Sequence, residues 1–313
     1  MGRRSMSALQ GFAIKLVPAL LYVVVGYIVK RFTPIKQRSV ASLLFYVLIP
    51  LIVFKGAAFS DLAKFSGIAL FSFLFGCTCA AAAFPLRARF KEVVAPGMLM
   101  CLFSCFNIGW FGIPLVLAVL GDEAARVMTA LYVGGTLYGN TIGYVLASNT
   151  APTRSAVFRK LLSIPALYGF LVALAFQPFP NVLHAIAISG PGSFTFGTAS
   201  FLTSLCGMGL VGMSMVGVNP WTNLSPVLRL LSFRLLVTSA LVGTFVLLSS
   251  TLALGTDLDR RIVALLPCLP IAANLLVFVS KGNEETHFVG LTLFASTIIS
   301  FVMLPFSFLL GIQ

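Results

Sequence analysis

Ser104-Cys105-Phe106-Asn107-Ile108-Gly109-Trp110-Phe111-Gly112-Ile113-Pro114-Leu115 places a carboxamide, two glycines and a proline inside an apolar run that extends from 94 to 120. A continuous α-helix is compromised there. Pro114 has no backbone N–H and its ring collides with the carbonyl of residue 110, so the preceding turn loses a hydrogen bond, while Gly109 and Gly112 lower the penalty for leaving helical geometry. Asn107 stands at the midpoint of the run. In hydrocarbon, backbone groups freed in this way must find partners, and non-helical backbone is tolerated only where it lines protein or a wet cavity.

The composition says that hydrocarbon is the solvent. Of 313 residues, 59% are hydrophobic and 9% charged, against roughly 25% charged in a soluble domain. The mean hydropathy of +1.03 is spread over the whole length, so a soluble body with one apolar segment is excluded. A membrane helix needs about 20 apolar residues. Runs at 8–29, 39–58, 65–86, 94–120, 124–148, 160–177, 194–218, 226–253, 261–281 and 287–310 predict an all-α polytopic membrane protein of about ten spans. Alternating period-2 segments of a barrel are missing.

Twenty-one Lys and Arg against 8 Asp and Glu give a net charge of +13. The basic residues are dispersed among apolar runs, so no nucleic-acid partner is expected; orientation is the plainer cause. The connections after spans one, three and five carry Lys30, Arg31, Lys36, Arg38, Arg87, Arg89, Lys91, Arg154, Arg159 and Lys160, whereas the other side has mainly Arg3, Arg4, Lys64, Arg126, Arg260 and Arg261. The richer side is expected to be cytoplasmic, with both termini outside. The first run continues to Val29 without a cleavage site, so no signal peptide is expected. Cys77, Cys79, Cys101, Cys105, Cys206 and Cys268 all lie in apolar runs and imply no disulfide framework.

Lys15-Leu-Val-Pro18-Ala-Leu-Leu-Tyr22 in span one is weakly similar to Lys160-Leu-Leu-Ser-Ile-Pro165-Ala-Leu-Tyr168 in span six. Chance similarity of two Leu-rich helices is the plain alternative. If it marks a repeat, residues 1–148 form one five-helix unit, 149–159 a short cytoplasmic linker and 160–313 a second unit. Five is odd, so the copies are inverted, as in many secondary transporters. The fourth span of the second half reads Leu266-Pro267-Cys268-Leu269-Pro270-Ile271-Ala272-Ala273-Asn274-Leu275, again with proline and asparagine near mid-membrane. An isolated Asn is ordinarily interhelical glue and an isolated Pro a kink. Two such clusters at equivalent positions point instead to a binding site, where half-helix N-termini offer N–H groups to an anion and Asn107 and Asn274 add donors.

The stretch from Asn107 to Pro114, with Asn-x4-Gly-Ile-Pro, then Leu120-Gly121-Asp122 and the late Leu269-Pro270 to Asn274 stretch, resembles the auxin efflux carrier family of membrane transporters. The resemblance implies two inverted five-helix repeats, scaffold and transport domains each built from both repeats, broken crossover helices four and nine, and a fold similar to that of the sodium/bile-acid symporters. It implies a secondary transporter or facilitator of small organic anions, mono- or dicarboxylates such as malate, malonate or auxin-like acids, working by alternating access. Asn107 matches the family's substrate-facing asparagine, and Gly112-Ile113-Pro114 the motif that follows it. Phe106 and Leu275 stand where plant members carry proline, and the long plant loop is replaced by 149–159, which suits a bacterial member in the inner membrane.

The expected substrate-binding residues are Asn107, Gly109, Gly112, Pro114, Pro270 and Asn274, with Tyr138, Asn140 and Arg234 able to reach a cavity. All eight acids sit in connections or at span edges, so a deep carboxylate relay and a cationic substrate are disfavoured. Lys15 and Lys55 lie near span ends and can snorkel. Arg234 is deeper, and snorkelling, a carbonyl partner and substrate contact stay open for it. Gly207-Met-Gly209-Leu-Val-Gly212 matches G-x-G-x-x-G, but no strand precedes it, so it reads as a close helix contact rather than a dinucleotide site. Gly135, Gly139 and Gly143 recur every four residues and read the same way. His184 and His287 stand alone at span edges; no catalytic residue, metal or cofactor is expected. Proton or sodium coupling and pairing into a homodimer stay open, as do a sodium-coupled symporter of bile-acid type and a non-transporting receptor.

Overall fold

The computed structural model describes residues 17–18, 21–148, 152–216, 224–252, 255–277 and 284–309, and most of these are helical. Helix α1 covers residues 21–32. Then follow α2 (Gln37–Ala58), α3 (Leu62–Phe90), α4 (Pro96–Ser104), α5 (Ile108–Leu120), α6 (Asp122–Asn140) and α7 (Ile142–Ala147). The rest of the chain forms α8 (Arg154–Leu162), α9 (Pro165–Phe176), α10 (Pro180–Ile188), α11 (Gly190–Ser214), α12 (Leu224–Thr251), α13 (Asp257–Ala264) and α14 (Glu284–Leu309).

Among the described residues, α2, α3, α11, α12 and most of α14 are long and apolar enough to cross a membrane, and α8 with α9, bent by 61° at Ser163–Ile164, makes a sixth candidate. The long helices present bare apolar side chains outward: Leu236 and Leu247 on α12 are each 68% exposed. A water-soluble fold would not leave such a belt uncovered. The protein is an α-helical membrane protein.

Four expected spans are not single rods. The run 94–120 is interrupted at Cys105–Asn107, 124–148 at Thr141, 160–177 at Ser163–Ile164, and the described part of 261–281, residues 261–277, divides into the end of α13, two 3-10 turns and extended backbone. Residues 180–188, expected to be connection, form α10. Half of the expected linker 149–159 is helical from Arg154 onward. Lys15 and both termini lie outside the described residues.

Two apolar cores lie on either side of the interruptions. One holds Ile108, Phe111 and Val116 with Leu265, Leu266 and Leu269. The other holds Leu99, Leu102 and Phe103 with Ile271, Leu275 and Val289. Both broken segments thus leave one core and enter the other at the same level.

Polar groups mark the two ends of the molecule. At one end Lys55 pairs with Asp122 at 2.7 Å, Arg126 donates to the carbonyl of Phe59 at 2.7 Å, and Lys64 pairs with Asp259 at 3.0 Å. At the other, the Ala95 N–H donates to Glu285 at 2.8 Å, the Arg89 guanidinium lies over the Phe233 ring and the Lys160 ammonium over the Tyr144 ring.

Tight helix contacts use glycine where a side chain would collide. A Cβ on Gly212 would run into the carbonyl of Val23, and one on Gly26 into that of Gly209, so the G-x-G-x-x-G stretch lets α11 press against α1. A Cβ on Gly207 would come within 2.7 Å of both Pro114 and the Trp110 carbonyl, which brings α11 equally close to α5. The contact expected of Gly135, Gly139 and Gly143 belongs to their neighbour Gly134 instead: its Cβ would strike the Ala69 carbonyl on α3, whereas Gly139 faces open space. A spacing of four identifies a stripe but not which side of it meets the neighbouring backbone.

Candidate functional site

The two interrupted segments pair with each other. Asn107 N–H donates to the Pro270 carbonyl at 2.8 Å, and Ala272 N–H donates to the Cys105 carbonyl at 3.1 Å. Phe106 and Ile271 form an antiparallel bridge between them. Backbone groups released from two broken helices thereby satisfy one another inside an apolar bundle, where an unpaired group is costly.

Local sequence explains each break. Leu269 precedes Pro270, and the proline ring pushes it into extended geometry, φ −75° and ψ 141°. In the first segment the break falls upstream of the glycines and Pro114, at Cys105–Asn107. There Asn107 caps the next helix: its side-chain oxygen accepts from the Trp110 N–H at 3.3 Å. The Asn107 carbonyl accepts from Gly112 N–H at 3.0 Å, closing a wide π-type turn over Ile108–Gly112. That turn resets the register so that Pro114 enters the first turn of the regular helix Ile113–Leu120, where a missing N–H costs nothing.

Arg234, on α12, reaches both segments. Its Nη1 donates to the Leu269 carbonyl at 3.3 Å, and its guanidinium carbon lies 4.6 Å from the centroid of the Phe106 ring. The residue is 4% exposed, and its Nε and Nη2 have no hydrogen-bond partner among the described residues. Its ionisable neighbours are the thiols Cys79, Cys105 and Cys268, not carboxylates. Beside it lies a cavity of about 20 Å³ whose lining includes Pro267, Leu269, Ser296 and Ser300. Ser296, from α14, accepts the Ile271 N–H at 3.1 Å and so holds the second segment from its far side.

The other expected residues divide. Asn107 is 7% exposed, and its amide nitrogen has no partner among the described residues. Gly112 sits where a Cβ would be 3.4 Å from Leu269, against the second segment; Gly109 gives its space to the Tyr132 ring, and Pro114 packs on Gly207. Pro270 supplies the carbonyl of the bridge. Asn274 is exposed, in the 3-10 turn Ala273–Val277. Tyr138 and Asn140 are engaged within the bundle. Tyr138 is 1% exposed and its hydroxyl donates to Ser104 at 2.8 Å, bracing the last residue of α4 before the break; Asn140 donates back to the Thr136 carbonyl of its own helix at 2.9 Å. Lys55 is held by Asp122, at the end of the molecule.

Sequence reading missed Phe106, Leu269 and Ser296. Phe106 and Leu269 look like ordinary apolar residues, and their role depends on which backbone lies opposite. A larger open groove of about 620 Å³, lined by Arg89, Arg229 and Phe233 among others, lies apart from the crossing.

No family model matches the chain, and no curated protein matches it.

Proposed function

We propose that this protein is a secondary transporter or facilitator of small organic anions, mono- or dicarboxylates, working by alternating access. The observation that carries the reading is the backbone pairing of two interrupted helices between two apolar cores, with the Asn107 amide and the Arg234 guanidinium both offering donors that have no partner among the described residues. Interrupted helices that expose donors at bilayer depth are where transporters of this architecture bind substrate. A neutral or cationic ligand would leave the buried guanidinium charge uncompensated.

The reading includes about ten spans in two inverted five-helix repeats, with 94–120 and 261–281 as the crossing pair. Lys55–Asp122 and Lys64–Asp259 draw the second, fourth and eighth expected connections to one end, and Ala95–Glu285 draws the third and ninth to the other, which supports alternating crossings. The first end carries Asp61, Asp122, Glu123, Asp257 and Asp259 beside its cations, and the second carries Arg87, Arg89, Lys91, Arg154, Arg159 and Lys160. The second end is then cytoplasmic in a cell membrane, with both termini outside.

Glycine-lined contacts of α11 with α1 and α5 offer the smooth surface on which one bundle shifts against another. A sodium-coupled variant draws on the hydroxyl oxygens of Ser200 and Thr203, buried on α11 without partners among the described residues.

Reconstitution tests the reading. Proteoliposomes should accumulate or exchange radiolabelled malonate, malate or acetate above empty vesicles, and an imposed sodium gradient separates coupled from uncoupled movement. Vesicles that bind but never translocate any of these acids would establish a receptor instead.

A further inference from the structure

We infer that Arg234 is the residue that takes the carboxylate of the transported anion, on the edge of its guanidinium formed by Nε and Nη2; the inference rests on the anion-transport reading and names the anchor within it.

A guanidinium has two usable edges. Nη1 belongs to one and is spent on the Leu269 carbonyl. Nε and Nη2 point together from the other and have no partner among the described residues. Two parallel N–H groups on one edge match the two oxygens of a carboxylate, giving a planar bidentate pair that an ammonium cannot reproduce. At 4% exposure the residue has no snorkelling route to water. A charge buried without a counterion is among the costliest features a fold can keep, so its persistence asks for a partner that comes and goes. Among the described residues no carboxylate pairs with it: Asp257 is taken by Arg260, Asp259 by Lys64 and Asp122 by Lys55, all at one end of the molecule.

Position strengthens the assignment. The same side chain touches the Leu269 carbonyl of one broken segment and the Phe106 ring of the other, next to Asn107. The cavity it lines, about 20 Å³, holds roughly one water. A carboxylate enters only when the lining parts, as alternating access demands. Binding therefore reports directly on the crossing: an anion on Arg234 changes the charge at the point where both segments meet. The chemistry selects a planar carboxylate over its neutral amide.

The test uses full-length purified protein with malonate as probe and malonamide as its neutral counterpart. Malonate should raise the melting temperature of the unsubstituted protein and malonamide should not. Arg234→Lys, which keeps the charge and loses the fork, should weaken malonate binding at least tenfold, and Arg234→Gln should abolish it. A second measurement avoids variants of uncertain folding: in protein labelled with ¹⁵N-arginine, one Nε–H resonance, absent from the Arg234→Lys spectrum, should move downfield when malonate is added. Wild-type affinity in Arg234→Lys, or an unmoved Nε–H resonance in a protein that binds malonate, overturns the anchor and leaves the transport reading standing. If vesicles transport carboxylates none of which shifts that resonance, the anchor is again overturned. If no carboxylate binds or moves, both fall together.

Discussion

The Asn107 backbone N–H donates to the carbonyl of Pro270, 163 positions away in the chain, at 2.8 Å, and its side chain simultaneously caps the helix that begins at the next residue. One residue thus ends a helix break, starts a helix and joins two distant segments. These roles can be separated by substitution.

Asn107→Ala removes the cap at Trp110 and should cost about 1 kcal/mol of stability, together with any anion affinity that the amide provides. Asn107→Asp keeps a cap acceptor but replaces the amide donor by a negative charge, next in the chain to the Phe106 ring that Arg234 contacts. Thermal unfolding should show Asp as the more stable of the two, while malonate binding should be lost in Asp at least as fully as in Ala. Equal stability with undiminished binding in both would remove Asn107 from the site.

The Phe106–Ile271 bridge lies between the two inter-segment hydrogen bonds rather than within one of them, the arrangement in which facing Cα atoms come to about 4.5 Å. That distance suits a disulfide. Phe106→Cys with Ile271→Cys, in a chain stripped of its six native cysteines, should crosslink within one molecule under mild oxidation, as read by mass spectrometry of proteolytic fragments. Phe106→Cys alone in the same cysteine-free background provides the uncrosslinked control.

Gly212 and Gly209 lie three apart on α11 but differ in surroundings. A Cβ on Gly212 meets the Val23 carbonyl, whereas Gly209 has only the Tyr22 carbonyl nearby, at 3.9 Å. Gly212→Ala should destabilise by about 1–3 kcal/mol through overpacking, and Gly209→Ala far less. Chemical denaturation in detergent compares them. A sequence motif read as a dinucleotide loop would predict no such asymmetry.

Tyr138→Phe deletes the hydroxyl that donates to Ser104, a buried bond worth about 1 kcal/mol. Since Ser104 still donates to the Met100 carbonyl, the expected outcome is a modest loss of stability with unchanged malonate affinity. A selective loss of affinity would return Tyr138 to the ligand.

Asp257 donates nothing to the bundle and everything to its own turn: the Arg260 guanidinium, hydrogen-bonded to it at 2.6 Å, holds its carboxyl below the usual range. A depressed folded value means that the stabilisation is present above the unfolded carboxylate range and is lost as pH falls through the folded value. An NMR titration should give Asp257 a lower midpoint than in Arg260→Gln.

The breaks were legible in the residues because proline and glycine act locally, whatever surrounds them. Pro270 forces Leu269 into extended geometry on its own. The first break is different. Pro114 and its glycines announced a disturbance, yet the chain parts at Cys105–Asn107, because the facing Pro270–Ala272 backbone supplies partners there and the π-type turn then absorbs Pro114 without further loss. No property of residues 104–115 alone states what lies opposite.

Composition and periodicity by themselves determined that the chain is an α-helical membrane protein, where its polar residues cluster, and that its acids stay at the ends. Those follow from transfer free energies, which depend on the residue and its solvent. Tertiary structure alone decided that the two broken segments meet, that Gly134 rather than Gly135 takes the close contact, and that Arg234 lies across both segments with one edge of its guanidinium unpaired. Those depend on distances between positions far apart in the chain, and hydrogen bonds and guanidinium contacts act only over a few ångströms.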